Sequence, residues 1–196
     1  MPDRAVEELV SNVNWALSRG LPKRDLRAML GKLAASARPG SPEQLFAKLE
    51  LSELIVQDEP FRAARLALDV LAVGEDARPY GVLGIAYSLL GSFKAARRAY
   101  EQAVALAPDH PGYRHNLGHL LDVAFDAPRR ALKHLSQAYR AVPDEPSLAT
   151  SYAHALSRTG QAAKAVDLLV RGLGWSQELA VKTIAAWREG QPTPSE

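Results

Sequence analysis

The sequence predicts an all-α fold, a stack of helical hairpins with about eleven helices in total. Among its 196 residues are 33 alanines but only 3 isoleucines and 13 valines, a balance that favours helices over strands. One pattern of small and large apolar residues also recurs roughly every 34 residues along most of the chain. A repeat of that length is one helical hairpin, which buries its apolar face only when neighbouring hairpins stack on it.

The N-terminal segment, residues 1–42, is predicted to form a helical hairpin of its own. Its two helices span roughly residues 3–19 and 22–38, and the sequence RGLP separates them. Two interpretations stay open for this segment. It is a decayed repeat, because Ala28 and Ala35 have the repeat's spacing, or it is an unrelated hairpin.

The clearest repeat unit covers residues 77–110. Gly84 and Ala96 are small where the two helices of a hairpin must approach closely, and large apolar residues sit at helical spacing around them. Gly91 ends the first helix, and Pro108 stops the second before the next unit begins. The residues that carry the pattern are Tyr80, Leu83, Gly84, Tyr87, Ala96, Tyr100, Ala103 and Pro108.

The same pattern returns on both sides of this unit. Residues 111–145 and 146–175 form two further repeats, the first with one extra residue in its inter-helix turn. Upstream, residues 43–76 form a degenerate repeat, because the turn DEPFRAA there resembles DAPRRAL in the unit that begins at residue 111. Residues 176–189 are predicted to form a capping helix that covers the last repeat, and residues 190–196 a disordered tail.

Residues 77–110 resemble a tetratricopeptide repeat over their full length, with Tyr in place of the usual Trp and Phe. The resemblance implies a right-handed α-solenoid in which the first helix of each hairpin lines a concave groove. It also implies that the fifth, ninth and twelfth positions of each repeat face that groove. Together with two neighbouring arginines, the predicted partner-binding residues are Leu51, Leu54, Arg78, Ile85, Ser88, His115, His119, Asp122, Thr150, His154 and Arg158.

The polar residues at these groove positions permit three interpretations. They are solvated surface residues, or they hydrogen-bond to a peptide or protein partner, or His115, His119 and His154 form a weak candidate metal site. No HExxH motif and no cysteine supports the metal, so we expect neither a metal nor another cofactor. Histidines at these positions would make partner binding depend on pH near 6 to 7.

Other features of the sequence exclude several functional classes. No catalytic motif and no cysteine nucleophile is present, so the protein is predicted not to be an enzyme. The net charge is only +2 and no basic stripe stands out, so no nucleic-acid partner is expected. No long apolar run predicts membrane insertion, and the charged N-terminus MPDRAVEELV lacks a signal core, so the predicted location is cytoplasmic.

The predicted function is a non-enzymatic adaptor or scaffold that binds a segment of another protein in the groove. The apolar N-terminal half would take an apolar anchor, and the polar C-terminal half would orient it. One alternative is a secretion-type chaperone that holds an export substrate. Another is a self-assembling scaffold, hence a homo-oligomer, in which the N-terminal hairpin docks on a neighbour. Trp15, Trp175 and Trp187 are expected to pack at the ends of the array; exposed, they would mark a partner surface.

Overall fold

The computed structural model describes residues 4–193, and in that range it contains eleven α-helices and no strand. The prediction of an all-α fold with about eleven helices is therefore confirmed. The chain divides into two compact units, residues 1–106 and 107–196, called here the N-terminal unit and the C-terminal unit. The helices are α1 Arg4–Ser18, α2 Lys23–Ser36, α3 Pro42–Ile55, α4 Pro60–Leu71, α5 Ala77–Leu89, α6 Phe93–Leu106, α7 Pro111–Val123, α8 Pro128–Ala141, α9 Pro146–Arg158, α10 Ala162–Leu173 and α11 Gln177–Arg188.

Each helix begins and ends where its local sequence dictates. Five helices, α3, α4, α7, α8 and α9, have Pro in their first turn, where the missing backbone N–H costs no hydrogen bond. Ser41, Asp76 and Ser176 cap the helices α3, α5 and α11 by accepting a hydrogen bond from a backbone N–H of the first turn. The prolines and the capping residues therefore determine where these helices begin.

The N-terminal unit stacks α1 to α6 in sequence order, with α3 packing on α2, α4 and α5. Its core is continuous from the first hairpin to the last and includes Val13, Leu33, Ile55 and Leu83. Helix α1 contributes one narrow apolar stripe to this core and leaves Trp15 57% exposed on its outer face. Trp15 therefore does not pack at the end of the array as the sequence led us to expect.

The hairpin of α5 and α6 shows why the repeat needs a glycine. A Cβ atom built on Gly84 would lie 2.2 Å from Cε1 of Tyr100, which is buried on the facing helix. At Gly91 the backbone adopts φ +70°, the left-handed conformation that ends α5 and that glycine accepts without strain. Both glycines therefore serve the geometry of the hairpin.

The C-terminal unit stacks α7 to α11 in the same manner. Gly118 on α7 repeats the role of Gly84, because a Cβ there would lie 2.6 Å from Cγ of Leu135 on α8. Helix α11 packs on α9 and α10 and buries Ile184 and Trp187. After α11, the indole Nε1 of Trp187 donates a hydrogen bond of 3.1 Å to Thr193 Oγ1. The rest of the predicted tail, residues 194–196, lies outside the described residues.

None of the helices in the described part of the chain combines the length and the apolar character needed to cross a membrane.

Candidate functional site

The predicted apolar part of the groove lies in the N-terminal unit, and the structure corrects one of its residues. Leu51 is only 2% exposed and belongs to the core, so it has almost no surface to offer a partner. The reason is that α3 is covered on three sides, by α2, α4 and α5. Leu54 and Ile85 are half-buried and pack against the same core, which leaves part of each side chain at the surface.

The predicted polar residues of the N-terminal unit already have partners within the chain. Arg78 on α5 pairs with Glu50 and Glu53 on α3, with N–O distances of 2.7 Å to each carboxylate. Hydrogen bonds and attraction from Glu53 and Glu50 raise the pKa of Arg78, against the opposing effect of burial. The hydroxyl of Ser88 donates to the carbonyl oxygen of Gly84 at 2.8 Å. Arg78 therefore joins two neighbouring hairpins.

The predicted polar residues of the C-terminal unit converge on Asp122. This carboxyl group is 2% exposed and accepts hydrogen bonds from two residues of α9. His154 Nδ1 lies 2.5 Å from Asp122 Oδ2, and Arg158 Nη1 lies 2.8 Å from Asp122 Oδ1. Arg158 also donates to the backbone oxygen of Asp122 at 2.7 Å and pairs with the exposed carboxylate of Asp126. A buried carboxylate is tolerated only when paired in this way.

A second group on the same helices joins the other two predicted histidines. The hydroxyl of Ser151 on α9 lies 2.9 Å from His115 Nε2 and 3.4 Å from His119 Nδ1, both on α7. The two imidazole rings are tilted, with centroids 6.2 Å apart. His115 is half-buried, whereas His119 is exposed at the surface of the unit. Ser151 therefore connects two side chains that lie one helical turn apart.

Electrostatics keep both of these histidines neutral at ordinary pH. Burial lowers the pKa of His115, and the neighbouring His119 lowers it further, while Glu145 acts in the opposite direction. Burial also lowers the pKa of His119, with Asp122 raising it and His154 lowering it. Both rings are therefore uncharged near neutral pH, and each has one N–H and one lone pair.

The remaining predicted residue, Thr150, forms a hydrogen bond within its own helix. Its hydroxyl donates to the backbone oxygen of Pro146 at 2.8 Å, so the hydroxyl hydrogen is not available to a partner. Three residues of this site were not assigned to it from the sequence: Ser151, Asp126 and Trp187, the last of which was expected only to pack at an end of the array. The indole of Trp187 meets the ring of His154 edge to face, with centroids 5.2 Å apart.

Within residues 4–193 no group of three or more His, Asp or Glu side chains is arranged to hold a metal ion. Each predicted histidine has one ring nitrogen engaged by a neighbour, by Asp122 for His154 and by Ser151 for His115 and His119. The arrangement instead provides hydrogen-bond donors and acceptors on the surface formed by α7 and α9, called here the histidine face.

Comparison with known proteins supports the interpretation of the repeats. The tetratricopeptide repeat family matches residues 77–110. Protein FlbA of Caulobacter vibrioides is 34% identical to the chain over 121 residues, which are 61% of this chain. The chain corresponds to only 20% of the length of FlbA.

Solved structures of tetratricopeptide repeat proteins share the fold. The structure described as MamA 41-end from Desulfovibrio magneticus RS-1 superposes with a TM-score of 0.72 and 14% identity, covering 89% of this chain and 96% of MamA. PilF of Pseudomonas aeruginosa superposes with a TM-score of 0.70 and 21% identity, covering 93% of this chain and 84% of PilF. Residues 77–110 therefore match a tetratricopeptide repeat, and the fold of the chain resembles that of solved tetratricopeptide repeat structures.

Proposed function

We propose that the chain is a non-enzymatic interaction module and that its histidine face binds an extended segment of a partner protein. The observation that carries this proposal is the pair His115 and His119, joined through the single hydroxyl of Ser151. In the described part of the chain no carboxylate hydrogen-bonds to the ring of His115 or His119, so neither ring is oriented as the histidine of a catalytic triad is. Recognition by hydrogen bonds suits this geometry better than catalysis.

The chemistry of the bridge determines what the two rings offer. The hydroxyl of Ser151 has one hydrogen, so it donates to one imidazole and accepts from the other. If both rings are neutral, the ring that accepts carries its hydrogen on its second nitrogen, and the ring that donates has a lone pair there. Whichever direction the bridge takes, the pair therefore offers one donor and one acceptor. A peptide group of an extended segment needs one of each.

The second group on this face is held in position before any partner arrives. Asp122 fixes the ring of His154 and the guanidinium of Arg158 through charge-assisted hydrogen bonds. With Nδ1 of His154 engaged by the carboxylate, the ring presents Nε2 to a partner. Side chains ordered in advance lose little conformational entropy on binding. These residues are well suited to orient a polar group of the partner.

The N-terminal unit, taken by itself, offers a small apolar surface. Leu54 and Ile85 keep part of their surface exposed, whereas Leu51 is excluded because it lies in the core. Arg78 is paired with two carboxylates on α3, so its proposed role is to hold α3 against α5 rather than to contact a partner.

The proposal is tested first by finding the partner and then by measuring its affinity. Affinity capture from the native cell extract, with identification by mass spectrometry, supplies the candidate, and calorimetry with the purified partner supplies the dissociation constant. We expect His119→Asn to weaken binding about tenfold, because it removes a hydrogen bond that orients the partner. The matched control is His110→Asn, since His110 caps α7 outside the histidine face and asparagine also caps helices.

The outcome distinguishes two interpretations of these histidines, a partner-binding face and ordinary surface residues. Weaker binding by His119→Asn, with full affinity in His110→Asn, supports the partner-binding face. Equal affinity in wild type and both variants would show that the histidines are ordinary surface residues.

A second candidate function, self-assembly, is favoured by the exposed indole of Trp15. In that case α1 would dock on another copy of the chain, and such a contact between two different surfaces extends into a ring or a filament. Light scattering over a range of concentrations tests it: a mass that rises with concentration in wild type but not in Trp15→Ala supports assembly through α1. An export chaperone that dimerises through residues 1–38 would instead keep the mass of a dimer as the concentration rises, and deletion of those residues would make it monomeric.

A further inference from the structure

Helix α8 has a cationic face that no carboxylate neutralises. Four residues of the helix, Arg129, Arg130, Lys133 and Arg140, are exposed, and its sequence contains no Asp or Glu. None of the four forms an ion pair among residues 4–193. In the N-terminal unit, by contrast, Arg78 and Lys48 pair with acids of neighbouring helices. Arg140 donates to the backbone oxygen of Ser136, but no carboxylate neutralises the four cations among the described residues.

Three of these cations form one stripe. With 3.6 residues per turn, Arg129, Lys133 and Arg140 lie within about 40° of one another around the helix axis. They point away from Leu135, which is fully buried. On one flank of the stripe, burial and the charges of Arg114, Lys133 and Arg130 lower the pKa of His134. The potential around this part of α8 is therefore positive.

A groove runs along the other flank, between α8 and α10. Tyr139 of α8 and Tyr152 of α9 approach each other in it, with ring centroids 5.7 Å apart. The cavity measures about 490 Å³, and Lys164 and Arg171 of α10 stand on its far side. Among its lining residues the single acid is Asp167, which pairs with Arg171 at 2.6 Å. The groove is mainly apolar inside, Lys164 lines its far side, and the stripe of α8 lies outside it on the flank next to Tyr139.

Gly172 keeps this groove open where α8 and α10 come near each other. A Cβ atom built on Gly172 would lie 3.3 Å from the hydroxyl oxygen of Tyr139, closer than ordinary contacts. Glycine inside a helix costs about 1 kcal/mol relative to alanine, so its presence in α10 calls for a packing reason. The approach of Tyr139 to the backbone of α10 supplies that reason.

We propose that this surface, the stripe of α8 together with the adjoining groove, binds an acidic segment of a protein partner that inserts an apolar or aromatic side chain between Tyr139 and Tyr152. Charge complementarity identifies the acidic segment, because the stripe of α8 has no carboxylate beside it and Lys164 lines the adjoining groove. The apolar interior identifies the anchor, as in interfaces where a buried side chain contributes most of the binding energy.

Two other anionic partners fit the surface less well. A helix that lies on a membrane presents apolar residues between its cations, but the outer face of α8 carries Ser136 between Lys133 and Arg140. A protein that binds single strands stacks bases on open aromatic rings, whereas Tyr139 and Tyr152 are half-buried in the walls of the groove.

This surface is independent of the histidine face. Tyr152 and Leu156 project to the groove from one side of α9, and His154 and Arg158 project from the other. Either proposal can therefore fail without the other, and one partner could occupy both surfaces of the unit.

The test uses the full chain and a defined probe, a fluorescein-labelled polyglutamate peptide with a central Leu-Trp pair. Fluorescence anisotropy measures its affinity for wild type and for the variant Arg129→Glu/Lys133→Glu. The matched control is Lys94→Glu/Arg98→Glu, which makes the same change in net charge at the equivalent positions of α6. We expect about tenfold weaker binding for the α8 variant and a change below about twofold for the control.

The anchor is tested with a second peptide in which Ala replaces the Leu-Trp pair. It should bind wild type about tenfold more weakly, and the difference between the two peptides should shrink in Leu168→Asn, which makes the groove polar. The proposal is overturned if the control variant loses as much affinity as the α8 variant, or if both peptides bind wild type equally. It is also overturned if anionic vesicles or a single-stranded oligonucleotide bind more tightly than the peptide and depend on the same cations.

Discussion

The substitution Asp122→Asn tests whether the buried carboxylate organises the histidine face. Asparagine has nearly the shape of aspartate, so the packing of α7 on α9 is kept while the charge is removed. Its oxygen still accepts from Arg158, but its amide group is a donor that meets the Nδ1–H of His154, donor against donor. His154 can relieve this conflict only by moving its hydrogen to Nε2. The variant therefore reverses the hydrogen-bonding role of that ring toward a partner.

The cost to stability follows from the contacts that change. A hydrogen bond to a charged group contributes about 1.5–3 kcal/mol, and a neutral one about 0.5–1.5 kcal/mol. Converting the two side-chain contacts of Asp122 from charged to neutral therefore destabilises the fold by about 2 kcal/mol. Asp126→Asn is the matched control, because it removes a carboxylate from the same Arg158 at a side chain that is 84% exposed. Its expected cost is about 0.5 kcal/mol or less.

Urea unfolding, followed by circular dichroism near neutral pH at low and high salt, measures both values. The loss in Asp122→Asn should be almost independent of salt because the group is buried, and the small loss in Asp126→Asn should disappear at high salt. If Asp122→Asn costs no more than Asp126→Asn, Asp122 does not hold α9 in place, and the organisation proposed for the histidine face is wrong.

Two further predictions concern the fold. Gly84→Ala should destabilise the chain by about 1–3 kcal/mol, because its Cβ would overlap the buried ring of Tyr100. The control Gly31→Ala, in open space on α2, should stabilise the chain by about 0.5–1 kcal/mol. Equal shifts of the two variants in thermal melts would contradict the close approach of α5 and α6. Stability should also depend on the lowered pKa values of His115 and His119. Their contribution is complete above 6.5, the ordinary histidine pKa, and is lost as pH falls from 6.5 through the lowered folded-state values, so urea titrations across this range should show less acid destabilisation in His115→Gln/His119→Gln than in wild type.

The local features of the fold were predictable because each depends on residues near one another in the chain. Gly84 and Tyr100 lie on the two helices of one hairpin, and their spacing indicates that these helices cross closely there. Prolines and glycines at hairpin ends have the same local meaning, since each restricts the backbone where it stands. The repeat pattern is therefore sufficient to predict the helix pairs without any tertiary contact between them.

The candidate site was predictable only in part. The spacing placed His115, His119 and Asp122 on one face of α7, and it placed His154 and Arg158 on α9. It did not indicate that Asp122 is buried, because its partners are contributed by the next hairpin, 32 and 36 residues later. The expected exposure of Leu51 failed for the same kind of reason, since neighbouring helices cover it.

The repeat pattern predicted neither the role of Ser151 nor the cationic surface of α8. Groove positions in the repeat do not include Ser151, so nothing in the spacing predicted that it would join two histidines of the preceding hairpin. The net charge does not reveal the basic stripe, because the acids of the C-terminal unit nearly balance its cations. Only the packing shows that acids such as Asp122 and Asp167 pair locally, whereas Arg129, Lys133 and Arg140 form no ion pair in the described part of the chain.

By itself, the amino-acid sequence determined that this protein is a stack of helical hairpins. The reason is that helix periodicity, turns and close glycine contacts each depend on residues within one hairpin. The tertiary structure decided which polar side chains meet and which charges stay unpaired. That decision depends on how consecutive hairpins pack, which places His154 beside Asp122 and opens a groove between α8 and α10. The chemistry offered to a partner depends on those contacts between hairpins.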